Sequence, residues 1–135
     1  MEHQDLTNLP VYKKALEIFK VSRAIAYNIG NSDHILEMSY SANENKRVAG
    51  EIVTASLQLV PALAALQNSS CSNLQLKKAN TIRKSARKIL AKSRKMEYLS
   101  KREKEILLLL KKEIRQFEGL FTQWYLQLEY RDRPN

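Results

Sequence analysis

Apolar residues return along this chain every three or four positions, the spacing that lays one face of an α-helix along a core. Four such stretches stand out. After the cap-type pair Thr7-Asn8 comes Pro10, whose missing N–H costs nothing in a first helical turn. Tyr12, Ala15, Phe19, Ser22, Ala26 and Ile29 then predict a helix over 10–29, stopped by a left-handed Gly30-Asn31. With Asp33 as its N-cap, a second helix over 34–67 carries Met38, Ala42, Asn45, Ala49, Ile52, Ser56, Leu59, Leu63 and Leu66 on one stripe. Its first third, rich in Ser and Asn, is a poor helix former that can stand as a separate turn, and Pro61 predicts a bend inside a helix that continues. A polar loop over 67–73 leads to a third helix, 74–96, with a narrow seam of Ala79, Ile82, Ala86, Ile89, Ser93 and Met96. Ser100 and Glu103 have capping-box spacing ahead of a fourth, 101–127, whose stripe is Leu107, Leu110, Ile114, Phe117, Phe121, Trp124 and Leu128.

Four helices with short connections pack as an up-down-up-down bundle, and 135 residues with 44% hydrophobic side chains fill one core, so the expectation is a single all-α domain over 1–135. Three Gly and three Pro are too few for the turns of a sandwich or barrel. Two helices carry more apolar surface than one bundle can bury. Ile106 to Leu110 turn through more than a full circle, Leu120 and Tyr125 widen that stripe, and Val11, Ile18, Val21, Ala24 and Tyr27 lie outside the main stripe of the first helix. Such faces predict a homo-oligomer, with Val11, Ile18, Leu108, Leu109 and Tyr125 at the subunit interface.

The net charge of +9 is concentrated in one place. Residues 1–51 carry six basic and seven acidic side chains, and 97–135 carry eight and seven. Between them, 52–96 holds Lys77, Lys78, Arg83, Lys84, Arg87, Lys88, Lys92, Arg94 and Lys95 and no acid at all. Helices normally mix signs to gain i,i+4 pairs, so a helix that accepts like-charge repulsion points to a polyanion. These nine residues are the candidate nucleic-acid contacts, made to RNA or DNA through the phosphate backbone, since no base-reading motif is present. The competing reading is an oligomeric scaffold whose basic face meets an acidic protein.

Catalytic and metal chemistry finds little footing. His3 and His34 have no second ligand at metal spacing, Cys71 has no His partner, and Glu103 and Glu105 diverge on a helix at i,i+2. Glycine is too scarce for a phosphate-cradling loop. The expectation is a non-enzymatic protein without cofactor. The apolar stretch Ile52–Leu66 is shorter than a bilayer span, the opening residues show no signal peptide, and a single Cys suits a reducing compartment. A cytoplasmic protein that does not engage membranes is expected. Against membrane attachment by the basic helix, its seam carries small residues where an interfacial helix would show Trp, Phe or Leu.

Leu9-Pro10-Val11-Tyr12-Lys13-Lys14-Ala15-Leu16, Leu59-Val60-Pro61-Ala62-Leu63-Ala64-Ala65-Leu66 and Tyr98-Leu99-Ser100 resemble, in order and spacing over about 9–128, the bacterial four-helix-bundle proteins. That family includes proteins encoded in intervening sequences of 23S ribosomal RNA genes and the accessory variability determinant (Avd) of diversity-generating retroelements. The intervening-sequence branch follows its helix-2 Pro with Asn-Ile-Ala-Glu-Gly, where this chain has Leu63-Ala64-Ala65-Leu66-Gln67. The basic third helix and Glu118-Gly119-Leu120-Phe121-Thr122-Gln123-Trp124 look closer to the Avd branch. The resemblance implies a barrel-shaped homopentamer that binds nucleic acid and a reverse transcriptase.

Overall fold

The computed structural model describes residues 5–30 and 34–131, which are helical with short connections and contain no strand. The elements are α1 (Pro10–Gly30), α2 (Ile35–Ser39), α3 (Glu44–Leu57), α4 (Leu59–Gln67), α5 (Ser72–Leu99) and α6 (Lys104–Arg131), with 3-10 turns at Leu6–Asn8 and Lys101–Glu103. α1 packs on α3 and α6, while α5 packs on α3, α4 and α6. The core lies inside this circuit. Every seam residue expected on 74–96 and every stripe residue expected on 101–127 is buried in it.

The start of α1 is as its sequence dictates. Asp5 Oδ1 accepts from the Thr7 N–H at 3.1 Å and from its hydroxyl at 2.8 Å, closing the 3-10 turn that delivers the chain to Pro10. The register of α1 differs from the expected one, because Val11, Ala15, Ile18, Ser22, Ile25 and Ala26 face the core while Tyr12 and Phe19 flank it. Val11 and Ile18 are therefore core residues of the chain itself and not an outer face, and so is Tyr125. Gly30 ends α1 without a left-handed conformation. A Cβ there would stand 2.7 Å from the Met38 side chain, so its smallness serves the packing of α2. Asn31 and the expected N-cap Asp33 lie outside the described residues. His34 caps α2 instead, its Nδ1 accepting from the Leu36 N–H at 3.3 Å.

The single helix expected over 34–67 is three. α2 stops at Ser39, and α3 restarts where Asn43 Oδ1 accepts from the Lys46 N–H at 3.1 Å. Ala42, expected on the stripe, is exposed in the connection. α3 gives way to α4 at Gln58, three residues before Pro61, because the proline ring conflicts with the carbonyl four residues back and supplies no N–H to it. Pro61 so falls in the first turn of α4, and Gln58 keeps right-handed helical dihedrals, which makes a break in the helix and not a reversal. The stretch Glu44–Gln67 is long and apolar enough to cross a membrane by length and composition, beyond the shorter Ile52–Leu66 window, and half of that apolar window is buried inside the molecule.

α5 extends to Leu99, beyond the expected end at 96, and the turn follows at Ser100–Glu103. The capping box expected there does not form. The Ser100 side chain makes no cap bond, and Glu103 is buried with its Oε2 3.5 Å from Asn28 Nδ2. α6 runs to Arg131, four residues past the expected end, and the rest of the tail lies outside the described residues.

Candidate nucleic-acid interface

The basic helix is built by its apolar seam. With Ala79, Ile82, Ala86, Ile89, Ser93 and Met96 turned inward, the remaining positions of α5 are forced to its flanks and outer surface. The nine cations there do not share one fate. Lys78 Nζ donates to Ser69 Oγ at 2.8 Å, fastening the loop after α4. Lys92 Nζ lies 3.2 Å from Glu51 Oε2 and Lys95 Nζ 3.1 Å from Glu44 Oε1, both acids being on α3. Arg83 lies over two rings of α6, 5.4 Å from the Phe121 centroid and 5.3 Å from that of Tyr125. Those rings are stacked at 6.1 Å, and the guanidinium covers both. Burial holds the Tyr125 phenol above its ordinary pKa, with Glu129 adding to the shift and Arg83 opposing it.

Five cations remain. Lys77, Lys84, Arg87, Lys88 and Arg94 are exposed and carry no ion pair among the described residues. Their spacing puts Lys77, Lys84 and Lys88 in one row and Arg87 and Arg94 in a second beside it, nearer α6, over a length of about 25 Å. Three of the nearby acids are occupied: Glu44 and Glu51 hold Lys95 and Lys92, and Glu97 lies 2.6 Å from Lys111 on α6, in an ion pair without directed hydrogen-bond geometry. Glu118 shares a shallow groove of about 100 Å³ with Arg83 and Arg87 but pairs with neither. The face therefore keeps its positive potential after internal pairing, and can neutralise a row of phosphates.

The other candidate residues separate in the same way. Leu108 and Leu109 are 48% and 45% exposed on α6, whereas Val11, Ile18 and Tyr125 are buried. Cys71 is exposed at the N-terminus of α5, where the backbone N–H groups of Leu74 and Asn73 lower its thiol pKa. No three His, Cys, Asp or Glu side chains gather at metal-binding distance among the described residues. Sequence reasoning passed over a cleft of about 920 Å³ at the α5–α6 turn, lined by Arg94, Glu97, Tyr98, Lys101 and Lys104. Its signal was present in Tyr98, a large ring on the outer face of a helix whose seam excludes it. No family model, curated protein or solved structure matches the chain.

Proposed function

We propose that this chain is a non-enzymatic accessory protein that binds RNA or DNA by its phosphate backbone, with α5 as the contacting element. The observation that carries the reading is the set of five exposed, unpaired cations, Lys77, Lys84, Arg87, Lys88 and Arg94, on a helix with no acid before Glu97. A helix kept positive only for solubility gains nothing from leaving all five unpaired while neighbouring acids are spent on Lys92 and Lys95. The packing circuit of α1, α3 with α4, α5 and α6 supports a four-helix bundle, and the half-exposed Leu108 and Leu109 support its self-association. With the resemblance to Avd, the assembly is a cytoplasmic homopentamer that serves a reverse transcriptase.

Electrophoretic retardation of a labelled structured RNA and an unrelated duplex DNA tests the reading. Changing Arg87 and Lys88 together to Ala should weaken both complexes by similar factors and leave the helical circular dichroism unchanged, since both side chains lie off the seam. Equal binding by the parent and the double variant across a salt titration would reject α5 as the contact surface, and capture of an acidic protein by that face would replace the reading.

A further inference from the structure

Three exposed tyrosines stand at one end of the molecule. Asn28 beside Glu103 places the end of α1 at the start of α6, and the Lys95–Glu44 pair places the end of α5 at the start of α3. Tyr27, Tyr40 and Tyr98 all belong to this end, with exposures of 71%, 89% and 86%. Tyr98 differs from the other two in its surroundings. It lines the open cleft at the α5–α6 turn with Arg94 one helical turn before it and Lys101 and Lys104 after it. Among the described residues, Glu97 is the one acid lining that cleft and is held by Lys111, whereas Arg94, Lys101 and Lys104 have no ion pair. Again among the described residues, no cation lies over the Tyr98 ring and no other ring packs on it. An open aromatic face of this kind, ringed by uncommitted positive charge and continuous through Arg94 with the basic rows of α5, is the arrangement that takes a base on the ring and its flanking phosphates on the cations.

Resting on the nucleic-acid reading above, we infer that Tyr98 is a stacking platform for an unpaired base, with Arg94, Lys101 and Lys104 as its phosphate clamp. The ligand class is then single-stranded nucleic acid, or a strand with a splayed end, whose backbone continues along Arg87, Lys84 and Lys77. A closed duplex uses the same cations but offers no base to the ring, since its bases are stacked on one another. Preference for unpaired segments follows from the ring and general affinity from the rows.

Fluorescence anisotropy with a labelled single strand and with a blunt duplex of the same sequence separates the two contributions. Tyr98→Ala should weaken single-strand binding roughly five- to one-hundred-fold, from the usual worth of one base–aromatic stack, and leave duplex binding unchanged. Tyr98→Phe should bind as the parent does, because the ring and not the hydroxyl carries the contact. In Tyr98→Trp, indole emission should be quenched by the single strand beyond any change that Trp124 shows in the parent. Lys84→Ala with Lys88→Ala should weaken both ligands. If Tyr98→Ala binds the single strand like the parent, or loses both ligands equally, the platform is refuted while backbone binding by α5 stands. If the parent binds neither ligand, the nucleic-acid reading falls and the platform with it.

Discussion

Ser22 is fully buried in the middle of α1, and its hydroxyl has no hydrogen-bond partner among the described residues. Ser56 and Ser93, equally buried, return their hydroxyls to helix carbonyls at 2.8 and 2.7 Å. The difference gives a direct expectation: Ser22→Ala should stabilise the fold by about 1 kcal/mol, read as a shift in the urea midpoint, because the polar group is desolvated without compensation. The helical glycines separate as clearly. A Cβ on Gly50 would stand 2.7 Å from the Ser39 backbone N, so Gly50→Ala must push α2 away and should cost roughly 1–3 kcal/mol. Among the described residues, no neighbouring side chain or other element lies within 4 Å of a Cβ on Gly119, and Gly119→Ala should add about 0.5–1 kcal/mol by relieving the helix of its most flexible residue. A monomer-level melt of both variants checks the pair. None of these three assignments is legible in the sequence, where Gly30, Gly50 and Gly119 look alike and Ser22 fits its stripe as well as Ser93 does. They depend on which neighbour crosses at that height.

At the level of whole helices, the three-and-four spacing placed α5 and α6 correctly because their polar faces are unambiguous: wherever α5 turns from its seam, it meets Lys, Arg or another polar side chain for most of its length. α1 misled by about one position, since Tyr12 and Phe19 compete with Val11 and Ile18 for the same core and large rings tolerate a flank. The break at Gln58 was foreshadowed by Pro61, but its place follows from the carbonyl that the ring would strike and not from the proline itself. Within α5, Arg83 and Arg87 differ by one turn and by role. Arg83→Ala should lower stability by about 1 kcal/mol by uncovering the Phe121 and Tyr125 rings, with little change in affinity for nucleic acid. Arg87→Ala should do the reverse. Chemical denaturation and anisotropy on the same two variants test the exchange, and a stability loss shared by both would remove the distinction.

On the scale of the molecule, the sequence located the positive charge but not how much of it is free. Composition counts Lys78, Arg83, Lys92 and Lys95 with the rest, because the partners that occupy them, Ser69, the α6 rings, Glu51 and Glu44, are distant in sequence or carried by other elements. This subtraction fixes an expected salt dependence. Each phosphate neutralised releases condensed counterions, so Lys101 and Lys104 of the Tyr98 clamp add about −1.4 to the log–log slope on single strands and about −1.8 on duplex DNA. Besides these, the five free cations of α5 give about −3.5 and about −4.5 for one chain. Nine engaged cations would give nearly twice that. An assembly raises the slope on a long strand further, because several α5 faces then hold the same polymer at once. Leu108→Glu with Leu109→Glu, which puts charge on the half-exposed α6 face, should return both the light-scattering mass and the slope to single-chain values if that face joins the subunits. A slope near −1 for the parent would mean that the five cations do not act as a row. A steep slope that survives in a monomeric double variant would place the binding surface within one chain and remove self-association from the mechanism.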